Sequence, residues 1–77
     1  MTKKLYVKTE NGVDSLLKVV STLRRKEFDI VDVLMQGSID SDVSHLYITI
    51  DETNGHSSDV AVSHMEKLYG LSDIKMM

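Results

Sequence analysis

A chain of 77 residues has room for one domain, spanning residues 1–77, and it buries only ~60–65% of the surface its unfolded form exposes. It has no cysteine, which rules out disulfides and thiolate metal sites and leaves association with another chain as the usual support for so small a core. Twelve acidic residues against nine basic ones give a net charge of −3, a balance that argues against a dedicated phosphate-binding surface, while 42% hydrophobic and 27% charged residues fit an ordinary soluble globule.

Met1-Thr2-Lys3-Lys4 is followed by only three apolar residues before Lys8, too few for a signal-peptide core or a membrane span, so a cytoplasmic location is expected. Leu5 to Thr9 alternates as a half-buried strand, with Leu5 and Val7 inward and Tyr6 and Lys8 outward. Glu10-Asn11-Gly12 supplies a turn. From Val13 to Arg25 the period becomes helical: Val13, Leu16, Leu17, Val20 and Leu23 form the expected apolar stripe, with Asp14 near the positive end of the helix and Arg24, Arg25 and Lys26 near the negative end.

Phe28 to Met35 is rich in β-branched residues and reads as a second strand, but its apolar residues fall on both parities. Either a bulge near Val31 and Asp32 brings Phe28, Ile30, Val33 and Met35 to one side, or the strand is apolar on both faces because a partner covers one. Gln36 to Asp42 is a polar hairpin loop. His45 to Asp51 alternates cleanly, with Leu46, Ile48 and Ile50 inward and His45, Tyr47 and Thr49 outward. Thr53-Asn54-Gly55-His56 breaks the strand, and Ser57 or Ser58 caps a second helix with Val60, Ala61, His64, Met65, Leu68 and Tyr69 on its expected buried side. Gly70 stops that helix, and Leu71 to Met77 forms a last strand with Ile74 and Met76 inward. The order β-α-β-β-α-β predicts an α+β, ferredoxin-like domain: a four-stranded antiparallel sheet with two helices on one face.

Little in the chain suggests catalysis. His45, His56 and His64 lack the helical spacing with which two imidazoles grip a metal, and Asp40, Asp42, Asp51 and Glu52 lack the EF-hand pattern. There is no GxxxxGK[ST], GxGxxG or GxSxG run. No catalytic residue, metal ligand or cofactor is expected. Sheets of this architecture can bind RNA by stacking bases on aromatics of the first and third strands, where Tyr6 and Tyr47 lie. However, Ser44-His45-Leu46-Tyr47-Ile48 has neither the glycine nor the arginine of the third-strand motif, and Arg24, Arg25 and Lys26 cluster on the first helix instead. A cross-strand tyrosine pair on a face that meets protein is the reading favoured over nucleic acid.

Glu10-Asn11-Gly12 leading into Leu16-Leu17-Lys18-Val19-Val20, then Leu23-Arg24-Arg25-Lys26-Glu27-Phe28-Asp29-Ile30 and the closing Met65-Glu66-Lys67-Leu68-Tyr69-Gly70-Leu71, resembles an ACT domain. Within that superfamily it is similar to the regulatory small subunit of acetolactate (acetohydroxyacid) synthase. The resemblance implies a homodimer joined through the second strands, with Phe28, Ile30, Val31, Val33 and Met35 at the interface. It also implies an amino-acid effector between Asn11, Gly12 and Val13 of one copy and Asp29, Ile30 and Val31 of the other, and a thiamine-diphosphate-dependent catalytic large subunit as partner. Free N–H groups at a helix start suit a carboxylate ligand; the plainer reading is that Asn11-Gly12 only closes a turn. Asp14 stands where the family usually has a small residue and Asp29 where it has asparagine, and both would repel a ligand carboxylate. The chain therefore looks more like the short, single-domain type that supports its catalytic subunit than like a feedback sensor.

Overall fold

Alternating apolar residues draw Thr2–Glu10 into the first strand, β1, whose Leu5, Val7 and Thr9 are fully buried on one face while Lys4, Tyr6 and Lys8 point to the other. The computed structural model, which describes residues 1–10, 12–38, 41–53 and 55–77, continues with α1 (Gly12–Arg25), β2 (Asp29–Ser38), β3 (Ser41–Asp51), α2 (Ser58–Met65) and β4 (Leu71–Met76). The strands form one antiparallel sheet in the order β2-β3-β1-β4, with β2 and β4 at its edges. Leu5 and Val7 of β1 and Leu46, Ile48 and Ile50 of β3 pack with Val19 and Leu23 of α1 and Ala61 and Met65 of α2. This is the expected βαββαβ fold.

The ambiguous second strand resolves through a bulge. Ile30 pairs with Ile50 and Asp32 with Thr49, so Val31 is the extra residue, and Val33 and Met35 then pair with the core-facing Ile48 and Leu46. Ile30 and Met35 pack against the core, whereas Val31 is 52% exposed. A second bulge in β4 lies between the Tyr6–Lys75 and Lys8–Ser72 pairs, where Asp73 takes a positive φ of 51°. The strands also reach further than the alternation indicates: β2 runs to Ser38 and β3 starts at Ser41, so most of the expected polar loop is hairpin strand. Asn11, Ile39, Asp40 and Asn54 lie outside the described residues.

The helices correct two expectations. The buried side of α1 is Ser15, Val19, Thr22 and Leu23, flanked by the partly buried Leu16, and not the full stripe from Val13 to Leu23. Val13 and Leu17 are 62% and 58% exposed. Ser15 can face inward because its hydroxyl donates to the Glu10 carbonyl at the end of β1. In α2, Ser57 accepts from the Asp59 N–H at 3.2 Å and caps the start, but the helix ends at Met65 and leaves Val60 and Tyr69 exposed. Met76, expected inward, is 45% exposed because β4 is an edge strand.

After α1, Glu27 takes a φ of 67° while its N–H donates to the Arg24 carbonyl (3.0 Å) and the Phe28 N–H donates to the Leu23 carbonyl (2.9 Å), the pairing of a Schellman stop built without glycine. Gly70, with φ of 88°, reverses the chain into β4, and its carbonyl accepts from the Glu10 N–H at 2.9 Å. A Cβ at Gly70 would stand 3.6 Å from Ser15 Oγ, an ordinary contact, so the cost of Gly70→Ala lies in the backbone. We expect Gly70→Ala to lower stability by about 1–2 kcal/mol, read as a shift of the urea midpoint at unchanged slope.

Candidate effector turn, pairing edge and open sheet face

The residues anticipated for an effector site fall at opposite ends of the sheet. Glu10 pairs with Val43 and Gly37 with Ser44, which gathers the end of β1, the start of α1 and the end of β2 together. Gly12 is half-buried there with φ of 43°; a Cβ at Gly12 would lie 3.9 Å from Ser44 Oγ, and one at Gly37 would lie 3.4 Å from the same atom. Val13 follows and is exposed. At the other end Asp29 pairs with Asp51, which also pairs with Thr2 at the start of β1. Given ~3.4 Å per strand residue, Gly12 and Asp29 are roughly a full strand, ~25 Å, apart. One chain therefore does not bring Gly12 and Val13 together with Asp29, Ile30 and Val31. Asn11 lies outside the described residues.

Phe28, expected at the pairing edge, precedes β2 and is only 5% exposed, with the His56 and His64 rings 5.4 and 6.1 Å from its own. It belongs to the core and offers no surface to a partner. Along β2 the exposed apolar residues are Val31, Val33 and Leu34, at 52%, 37% and 51%. Leu34 escaped the sequence reading because the bulge shifts the register: it pairs with Tyr47 and so stands on the sheet face opposite the helices.

On that face Tyr6 and Tyr47 are direct cross-strand partners, their ring centroids 5.3 Å apart, as the alternation indicated. The Tyr6 hydroxyl is 2.6 Å from His45 Nδ1, and the two rings are nearly parallel, 22° apart, at a centroid distance of 5.8 Å. Loss of water around Tyr6, then the nearby Tyr47 and Asp73, hold its hydroxyl above the ordinary tyrosine range, so it keeps its proton at neutral pH, and the His45 tautomer sets which of the two groups donates.

Two acids act on the fold. Asp51 accepts from the Thr53 hydroxyl and N–H and from the chain's amino terminus at 3.5 Å; Glu52 accepts from the Ser58 N–H at 2.7 Å, at the positive end of α2. Thr53 is the main cause that lowers the Asp51 carboxyl, and Ser58 the main cause that lowers Glu52. Because both folded values lie below the unfolded ones, their stabilisation is fully present above the ordinary carboxylate range near ~pH 4 and is lost as the pH falls through the folded values. The urea midpoint should therefore drop on acidification below about pH 4. Glu52→Gln should lower it at neutral pH and flatten that acid limb.

Among the described residues no three or more His, Cys, Asp or Glu side chains are grouped to hold a metal ion, and no helix is long and apolar enough to cross a membrane. A surface hollow of about 700 Å³ lies along α1 between Asp14, Leu17, Lys18, Arg25 and Leu68.

No family model and no curated protein matches the sequence. The fold has clear counterparts among solved structures. The ACT domain from GTP pyrophosphokinase of Chlorobium tepidum is similar with a TM-score of 0.80 at 8% identity, covering 100% of this chain and 97% of that one. A formyltetrahydrofolate deformylase from Pseudomonas putida (TM-score 0.78, 8% identity) and prephenate dehydratase from Streptococcus mutans (0.67, 15%) are matched over 100% and 99% of this chain but only 28% and 40% of theirs. At these identities the likeness shows the fold alone, the ferredoxin-like βαββαβ arrangement that the ACT domain from GTP pyrophosphokinase also has.

Proposed function

We propose that this chain is a non-catalytic regulatory or accessory subunit that pairs with a second copy through β2 and binds a larger enzyme, for which the sequence resemblance names the thiamine-diphosphate-dependent large subunit of acetolactate synthase. The observation that carries the reading is the outer edge of β2, where Val31, Val33 and Leu34 stand exposed on a domain whose interior is small. Ile30 and Met35, half-buried beneath that edge, would be covered further by a partner strand.

The same pairing accounts for the split effector residues. A two-fold axis normal to the sheet runs the two β2 strands antiparallel and brings Asp29, Ile30 and Val31 of one copy to the sheet end that holds Gly12 and Val13 of the other. Asp14 and Asp29, both exposed, then make that end acidic, which opposes an amino-acid carboxylate and favours a supporting role over feedback inhibition. Mixing the chain with the acetolactate synthase large subunit should raise the rate of acetolactate formation with little change on adding valine, leucine or isoleucine. No change in rate and no co-sedimentation would overturn the reading.

The second reading is a stand-alone homodimeric amino-acid sensor, favoured by the α1 start at Gly12, since the N–H groups at a helix start suit a carboxylate. Calorimetry with a panel of amino acids separates the two, since saturable binding to the isolated chain supports the sensor.

A further inference from the structure

We propose that the second copy covers α1 as well as β2, so that the two α1 helices pack antiparallel across the two-fold axis through Val13, Leu16 and Val20. The inference rests on the β2 pairing proposed above and adds a helix layer to it. α1 packs on β2, β3 and β1, whereas α2 packs on β4 and β1, so α1 is the helix on the β2 side of the sheet. Spaced by three and four residues, Val13, Leu16 and Val20 form one strip along α1. The charged Asp14, Lys18 and Arg25 line the hollow that α1 shares with Leu68, roughly 150° around the helix from that strip. With α2 and Leu68 on one flank of α1, the strip is turned to the other, above the free edge of β2. Val13 is 62% exposed there and Leu16 and Val20 are half-buried, with Arg24 at the strip's far end, so a single chain leaves this apolar flank uncovered.

Geometry and area both name a second copy as the occupant. α1 begins at the Gly37 end of β2 and stops just before Asp29 at the other, so its middle lies level with the middle of the strand near Val33. A two-fold axis that pairs the β2 edges near Val33 therefore passes beside the middle of α1 and runs the second helix antiparallel to it. Strands lie ~4.8 Å apart, so a helix seated over β2 and β3 stands roughly 5 Å from the axis and roughly 10 Å from its mate, close to the spacing at which helices interlock. Leu16 of each copy then meets Val20 of the other, and the opposite dipole ends of the two helices lie side by side. The ten-residue edge of β2 alone presents a strip of roughly 34 Å by roughly 10 Å, well short of the ~800 Å² per partner of a stable pair. The flank of α1, about 21 Å long, adds more than half as much again and brings the contact nearer that size.

The test is sedimentation velocity of the full chain carrying Val20→Asp, Ser21→Asp or Val33→Asp, with wild type alongside. Val20→Asp buries an unpaired charge between the helices and should weaken the dimer at least about 10-fold. Ser21→Asp, on the hollow side of α1, should change it little. Because the chain has no cysteine, Val20→Cys gives each copy a single thiol, and a short bis-maleimide should join two copies through it. Through Ser21→Cys the same reagent should join few. Crosslinking decides the matter should Val20→Asp fail to fold. If Val33→Asp dissociates the dimer while Val20→Asp does not, or if Val20→Cys crosslinks no better than Ser21→Cys, the helix contact is overturned and the β2 pairing stands. A wild type that stays monomeric at every concentration overturns both.

Discussion

Replacing Ile48 by alanine is expected to leave much of the protein unfolded at 25 °C. Ile48 is fully buried in β3, one of the two central strands, where it pairs with Leu5 on one side and Val33 on the other. Removing its branched side chain from such a site costs ~2–5 kcal/mol, and the larger values apply where neighbours cannot collapse into the gap. Here the neighbours are strands held by ladders on both sides, so collapse is restricted. A single core of this size supplies only ~3–5 kcal/mol, so the loss is comparable with the whole stability. Circular dichroism along a urea titration should show a midpoint near zero denaturant. Val33→Ala, at an edge and 37% exposed, should cost clearly less. Similar losses at the two positions would mean that the sheet's interior is not where the monomer gains its stability. Raising the protein concentration distinguishes the sources of stability, because only a contribution from association grows with concentration.

The sheet was legible in the sequence because strand alternation survives in β1 and β3, where Leu5, Val7, Leu46, Ile48 and Ile50 all lie on the inner face. Even the β2 bulge was foreshadowed, since no straight strand could bury Ile30 and Met35 together. The inner face of α1 was not legible in full. Ser15 and Thr22 are buried, and an apolar count passes over such residues even where, as at Ser15, the hydroxyl finds a partner in place. The end of α2 was missed for the opposite reason: Leu68 and Tyr69 continue an apolar rhythm, but the helix has ended and Tyr69 is 81% exposed. Of the candidate sites, the Tyr6–Tyr47 pair follows from parity alone. The bond from Tyr6 to His45 and the placement of Lys75 need the strand order, which one chain's alternation does not specify.

Val33→Asp carries the largest effect expected on assembly. Val33 sits centrally in β2, between the bulge at Val31 and the end of the strand near Gly37, so a two-fold pairing of β2 edges places it near the axis. There each copy would present a carboxylate close to its own symmetry mate. Burying a charge without a partner is costly, and two like charges facing each other add repulsion. A penalty of at least ~3 kcal/mol corresponds to a dimer weakened about 100-fold or more. In the monomer the same side chain reaches water at the sheet edge, so the circular dichroism of a fully dissociated sample should stay that of the folded chain. Sedimentation velocity across a wide concentration range reads the result: wild type should move from monomer to dimer, and the variant should remain monomeric. Lys4→Gln on the outer face, two strands from β2, should leave the dimer intact. If wild type stays monomeric throughout, or Val33→Asp dimerises as tightly as wild type, then β2 is not the pairing edge, and the effector residues at the two ends of the sheet have no route to a common site.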